Sequence, residues 1–377
     1  MVAFPFKEED PAVALSNLET AARHERVRHV LAVGASDGAT FAALDGAATG
    51  LTAATRTEVE VVIQDRIGDR RAGKGDGMNT ALRRFMATDL DRLHFYDADI
   101  TNFDSSWISG AERAADEGHP LVRHYFPRAS TDAMITWMIT RPLFAIGHPH
   151  SVLWQIRQPL GGEVLLDRPM AARLVSDPVV ARRSDWGIDT VITYATAASG
   201  SPIYEHYIPG GKQHALYRSL SELRDMVVEC FEAALDVATM ASPRPADHVV
   251  EPESPVEEAI TQRVAYDVES SLHLLGAGWG PDEIEAAALL PDRIAEPLLA
   301  NLIRPTFSFL DSDLWYETLR ELMTHYRSAP GWQGVVFRLW VGRVLAYTTT
   351  DALGGHVRAM DILDRAITDY ATRGRPN

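Results

Sequence analysis

One cysteine in 377 residues, Cys230, leaves no partner for an internal disulfide, and its helix-like surroundings fit a reducing cytoplasm. No stretch approaches the roughly 20 uninterrupted apolar residues of a membrane span. Met1 to Asp10 lack both a basic stretch and a long apolar core, so no secretory signal is expected. Positive charge is scarce: 36 Lys and Arg face 52 Asp and Glu, for a net charge of -16. That balance argues against nucleic acid or an anionic membrane as the main partner. No G-x-G-x-x-G follows the first apolar run and no P-loop is present, which removes two common nucleotide-binding fingerprints. No internal repeat is visible.

What remains is an ordinary globular composition, 46% hydrophobic and 23% charged, in a chain longer than one core usually supports. Val2–Phe6, Arg28–Gly34, Glu58–Gln64, Arg92–Asp99 and Leu121–Phe126 read as strands. Pro11–His24, Asp76–Ala87 and Ser105–Asp116 read as helices between them. Such alternation implies a mostly parallel sheet with helices on both faces. Beyond residue 130 the pattern predicts a helix over Thr131–Ile146, extended pieces at Val164–Leu166 and Ile203–Ile208, and a helix over Ile188–Ala198. From Leu220 the period is helical, over Leu220–Thr239, Glu257–Leu275 and Gly334–Tyr370, interrupted by a proline-rich acidic segment from Ser242 to Pro255 that reads as a mobile loop. A boundary near residue 218 therefore divides an α/β domain, 1–218, from a helical domain, 219–377.

The stretch His94 to Ile100 ends an apolar, aromatic run in two carboxylates, Asp97 and Asp99. Acid groups at the carboxyl end of a buried strand lie where open α/β sheets bind ligands, and such oxygens suit Mg²⁺ or Mn²⁺ carrying a diphosphate. A solvated turn is the alternative. Arg66 to Asn79 joins a strand to a helix through Gly73, Lys74, Gly75 and Gly77, a pattern that cradles phosphate, or else a solvated loop of paired Arg and Asp. Arg128 offers a fork for a carboxylate, or a partner for Asp132. Asp185, Trp186 and Asp189 make a candidate sugar site, although Asp185 suits a helix cap and Asp189 a first turn. His214, in a glycine-rich loop, is either a metal ligand or a surface residue.

Across these segments the chain resembles the mannosylglycerate synthase family of retaining glycosyltransferases, from Phe4 to about Tyr370. The resemblance is densest in Phe4–Lys7, Gly73–Leu82, His94–Ile100, Leu121–Thr140, Gln158–Glu163, Arg182–Thr190 and Tyr207–Tyr217. It implies a GT-A nucleotide-sugar-binding domain followed by an all-helical domain. It also implies GDP-mannose bound by Pro5, Phe6, Lys7, Glu8, Glu9, Val33, Gln64, Lys74, Asp97 and Ala98. Asp99 and His214 would hold a divalent Mg or Mn ion. Arg128, Ala133, Met134, Ile135, Thr136, Leu160, Asp189 and Tyr217 would line the D-glycerate and sugar pockets, with Lys74 and Asp189 closest to the chemistry. Ala215 stands where the family carries a basic residue, a contact that Arg218 would replace.

The resemblance implies transfer of mannose to the 2-hydroxyl of D-glycerate with retention, giving a compatible solute; acceptor breadth, D-lactate included, stays open, and the faces of the helical domain offer a surface for a homo-oligomer. The alternatives are the same transfer from another sugar nucleotide such as GDP-glucose, a sugar-phosphate nucleotidyltransferase, and a non-catalytic nucleotide-sugar binding module.

Overall fold

The computed structural model describes residues 1–214, 219–300 and 307–374. It divides into two compact units: one of residues 1–127, 151–215 and 242–255, the other of 128–150, 216–241 and 256–377. A single cut at 218 differs from this division in two places. Residues 128–150 fold with the helices, and the proline-rich segment folds with the sheet.

The first unit is built on eight strands: β1 Val2–Phe6, β2 His29–Gly34, β3 Glu58–Ile63, β4 Arg92–Phe95, β5 Leu121–Tyr125, β6 Val164–Asp167, β7 Ile203–Tyr207 and β8 His248–Val250. They form one sheet in the order β3-β2-β1-β4-β6-β5-β7-β8. Only β6 runs antiparallel to its neighbours, β4 and β5. The inner strands are buried on both faces, as parallel strands covered by helices must be; every residue of β2 and β5 is buried, Arg123 and His124 of β5 included. Phe4, Tyr96, Phe103, Trp107 and Phe126 join the aliphatic residues of β1 and β2 in the main core cluster.

Three elements depart from expectation. β4 stops at Phe95 instead of Asp99, so both acids of the D-x-D lie in the turn beyond it. The carbonyls of Ala98 and Ile100 there accept from Asn17 Nδ2 at 3.0 and 2.9 Å, replacing ladder bonds with a side-chain tether. The proline-rich segment is no loose loop throughout, because β8 pairs in parallel with β7, from Ile203 opposite His248 to Glu205 opposite Val250. Glu251, just after it, accepts from Tyr204 Oη, His206 Nδ1 and Tyr207 N at 2.8, 2.7 and 2.9 Å.

The second unit surrounds a helix, Pro330–Thr350, whose buried residues run round its whole circumference, as expected of a central core helix. Trp340 and Trp315 on the helices of this unit donate to the carbonyls of Met134 and Met138 at 3.3 and 2.7 Å. The expected helix over Thr131–Ile146 starts late, as a π-helical turn Thr136–Thr140 leading into Arg141–Gly147. The long helix expected over Gly334–Tyr370 is two, Pro330–Thr350 and His356–Arg373, broken at Gly355, whose φ of 92° is a conformation glycine takes at little cost. Among the described residues no helix is long and apolar enough to cross a membrane.

Candidate active site

The strand order places a switch point between β1 and β4: the chain winds outward through β2 and β3, then returns to the other side of β1. Open α/β sheets bind ligands in the crevice at the carboxyl ends of such a strand pair. Along this edge lie Pro5 and Phe6 at the end of β1, Lys7, Glu8 and Glu9 beyond it, Val33 near the end of β2, and Gln64 just after β3. Asp97, Ala98 and Asp99 follow β4. Burial raises the Glu9 carboxyl above its usual range, and the negative charges of Asp99 and Asp97 add to that rise.

Deeper in the edge five charged side chains alternate in sign. Glu163 Oε1 receives Lys212 Nζ at 2.6 Å, and the same ammonium donates to Asp97 Oδ2 at 2.5 Å. Asp97 Oδ1 is 2.9 Å from Lys74 Nζ, which reaches Asp189 Oδ2 at 3.0 Å. Burial lowers the pKa of Lys74, but Asp189 and Asp97 outweigh it and hold that pKa well above the ordinary lysine value. Burial likewise favours a protonated Asp97, and Lys212 and Lys74 outweigh it, driving this acid well below the carboxylate range. The two ends behave differently. Glu163 and Asp189 each have one lysine, and burial leaves both carboxyls raised. Of the five, Lys74, Asp97 and Asp189 were legible as candidates in the sequence, whereas Lys212 and Glu163 were not assigned.

Local folding explains the positions. Lys74 opens the helix Lys74–Met86, and Asp189 lies in the first turn of Ile188–Ala198. Buried Asp76 draws the preceding loop inward: its Oδ2 accepts from Arg66 Nη1 at 2.7 Å and its Oδ1 from the Ile67 and Gly68 amides at 3.0 and 2.9 Å. A β-carbon at Gly75 would lie 2.3 Å from the Arg183 carbonyl, and one at Gly68 would lie 2.6 Å from that of Arg182. These glycines serve close packing against the 182–185 segment, and Asn79 ties the same segment through the carbonyls of Val180 and Arg183. Asp185 accepts from the Gly187 amide at 2.9 Å, fixing the turn that precedes the Asp189 helix. The ring of Trp186 lies 5.7 Å from Lys74 Nζ, within cation–π range.

His214 and Asp99 come from distant parts of the chain, and the backbone sews their loops together. The Gln213 carbonyl accepts from Thr101 N at 2.8 Å, the Gln213 amide donates to Asn102 Oδ1 at 2.9 Å, and Asn102 Nδ2 donates to the Gly211 carbonyl at 2.9 Å. Among the described residues no group of three or more His, Cys, Asp or Glu side chains converges as a metal cage. One carboxylate and one imidazole fit an ion that takes its other ligands from substrate phosphate and water.

Leu160 lies in the turn Gln158–Gly161, closed by the Gly161 amide on the Gln158 carbonyl at 3.0 Å. The remaining acceptor candidates belong to the helical unit. Arg128 Nη1 pairs with Asp132 Oδ2 at 3.0 Å, the partnership weighed from the sequence. Asp132 Oδ1 also accepts from the Ala133 amide at 2.7 Å, and Ala133 has a φ of 54°, unusual for a residue with a β-carbon. Met134, Ile135 and Thr136 are buried around the start of the π-helical turn. Tyr217, together with Ala215 and Arg218, lies outside the described residues.

A mostly parallel sheet with acids and lysines gathered at the carboxyl ends of its strands is the architecture of the GT-A glycosyltransferases. The fold likeness extends to a Mycobacterium tuberculosis glucosyl-3-phosphoglycerate synthase solved with Mn²⁺, UDP and glucosyl-3-phosphoglycerate, at a TM-score of 0.50 and 20% identity over 64% of this chain and 80% of that one. The family models of the mannosylglycerate synthase GT domain and C-terminal domain match residues 1–236 and 260–367. Mannosylglycerate synthase of Rhodothermus marinus is 49% identical over 98% of this chain and 94% of its own length. That of Selaginella moellendorffii is 44% identical over 96% and 87%. The chain belongs to the mannosylglycerate synthase family, and it is a glycosyltransferase. That class displaces both the nucleotidyltransferase and the non-catalytic binding module.

Proposed function

We infer that the enzyme transfers mannose from GDP-mannose to the 2-hydroxyl of D-glycerate, with retention and with a divalent Mg or Mn ion held by Asp99 and His214. The observation that carries this reading is the alternating chain from Glu163 to Asp189 at the β1/β4 switch point, in a sequence 49% identical to a mannosylglycerate synthase. The product is a small anionic compatible solute, made in the cytoplasm.

The bound ion supplies positive charge to the departing diphosphate. Pro5 to Glu9, Val33, Gln64, Asp97 and Ala98 lie along one edge and form the donor cleft. Lys74 adds an ammonium where negative charge develops, in a site whose dielectric is lowered by burial. Asp189 accepts from hydroxyls of the donor sugar. Its Oδ2 is engaged by Lys74 at 3.0 Å, which suits orientation better than attack on carbon. Arg128 grips the glycerate carboxylate with its fork, sharing it with Asp132, while Ala133, Met134, Ile135 and Thr136 line its surroundings.

The bond from the anomeric carbon to the phosphate oxygen breaks as the sugar gains oxocarbenium character. The 2-hydroxyl oxygen of glycerate bonds to that carbon from the same face, and its proton passes to the leaving phosphate. Purified enzyme with GDP-mannose, D-glycerate and Mg²⁺ or Mn²⁺ is expected to yield α-mannosylglycerate and GDP. Parallel reactions with GDP-glucose and D-lactate define donor and acceptor breadth. No product with either ion overturns the reading.

A further inference from the structure

Glu163 is a fully buried carboxylate. One of its oxygens meets Lys212 Nζ at 2.6 Å, and the other, Oε2, has no hydrogen-bond partner. A charge placed there is costly unless an opposite charge is fixed beside it. Lys212 is that charge, and its side chain is only 8% exposed. Its ammonium also holds Asp97 Oδ2, while Lys74 holds Asp97 Oδ1. With an ammonium on each oxygen, the Asp97 carboxylate is fixed in rotation. Without Lys212, both Asp97 oxygens would compete for Lys74 and draw it from Asp189. The Lys212 segment cannot drift to compensate, because Gly211 and Gln213 on either side are bonded to Asn102 and Thr101.

We propose that Lys212 is a positioning residue for glycosyl transfer, holding Asp97 so that Lys74 stays on Asp189, and that Glu163 is the buried counter-ion that keeps Lys212 in place. The inference rests on the proposed transfer reaction. It adds a lysine and a glutamate that act through Asp97 without touching the reacting atoms.

The test must separate positioning from folding. Lys212→Met alone strands the Glu163 charge in the interior and is expected to lower the thermal midpoint. The double variant Lys212→Met/Glu163→Gln removes both charges, so its midpoint returns toward wild type. Its kcat for mannosylglycerate formation nevertheless stays roughly 10- to 100-fold low, the range for lost support of a reactive group. Lys212→Arg, which keeps the charge, retains more activity than the double variant. A double variant with wild-type kcat overturns the proposal. If the double variant does not fold, Glu163→Gln alone, which removes the counter-ion that keeps Lys212 on Asp97, is expected to lower kcat several-fold, and an unchanged kcat there overturns it equally. Wild-type enzyme that makes no mannosylglycerate defeats the underlying reaction instead, a result distinguishable from an active wild type with an equally active double variant.

Discussion

Gly162 faces Asp97 so closely that a β-carbon at position 162 would come within 2.6 Å of Asp97 Oδ1, and equally near Lys74 Nζ. The glycine has no φ in the left-handed region, so Gly162→Ala tests crowding of the charged pair and little else. The Asp97–Lys74 contact must then lengthen or rotate. Misplacement of reactive groups by about 1 Å costs on the order of 100-fold. Steady-state kinetics of Gly162→Ala should show kcat lowered roughly 10- to 100-fold with a thermal midpoint close to wild type. Unaltered kcat would mean that the pair is not part of the chemistry.

Asp76 tests the scaffold in place of the chemistry. Its two oxygens satisfy the Arg66 guanidinium and two loop amides, and none of it reaches solvent. Asp76→Ala leaves two backbone donors and an arginine without their acceptor, a loss of about 2–4 kcal/mol in denaturant unfolding. Asp76→Asn keeps one acceptor oxygen and should lose less. Equal stability of the two variants would contradict the role of the second oxygen.

How much of this was legible in the sequence depends on the range of the interaction that decides each feature. β1 and β2 stand out as largely apolar runs, and β3 and β5 as short stretches of β-branched, aliphatic and aromatic residues with charges interspersed, all of them local signals. The strand expected over Arg92–Asp99 ends at Phe95 although Tyr96 and Ala98 continue its apolar pattern, because Asn17, about 80 positions away, takes the carbonyls of Ala98 and Ile100. β8 is three residues long in a proline-rich segment, and the acid that anchors it, Glu251, draws its donors from β7. Lys74, Asp97, Asp189 and His214 each sit in a recognisable local pattern. Lys212 and Glu163 do not, since their meaning lies in contacts 115 and 49 residues apart in the chain, which no spacing reveals. Nor does a glycine motif say whether it approaches a phosphate or, as at Gly68 and Gly75, another stretch of backbone.

Glu112 supplies a pH-dependent prediction away from the site. Burial would raise its carboxyl, but His94 Nε2 at 2.8 Å and Arg92 Nη1 at 2.6 Å outweigh that and hold it at about 2, against an ordinary 4.5. A carboxylate whose folded pKa is depressed adds stability above its unfolded pKa, and loses it as pH falls through the folded value. The difference in unfolding free energy between wild type and Glu112→Gln should therefore be constant from about pH 5 to 7, at most on the order of 3 kcal/mol. It should shrink below about 4.5. A difference that grows on acidification would reverse the sign and refute the assignment.

The proposed ion site yields the last prediction. The raised Glu9 carboxyl owes most to burial, with the negative charges of Asp99 and Asp97 adding to it, so negative charge gathers at the carboxyl ends of β1 and β4. Such a field favours a dication, and Asp99 with the His214 loop, tied to it at Thr101 and Asn102, supplies one hard oxygen and one imidazole. Asp99→Ala and His214→Ala should each lose metal-stimulated turnover, by roughly 100-fold or more if they are direct ligands. Titration with Mn²⁺ in the presence of GDP, followed by the loss of free Mn²⁺ electron-spin resonance, should show weakened binding in both variants independently of catalysis. Chelation should abolish wild-type activity, and added Mg²⁺ or Mn²⁺ should restore it. Wild-type Mn²⁺ affinity in both variants would place the ion elsewhere along the strand ends, while weakened affinity in Asp99→Ala alone would remove His214 from the ligand set.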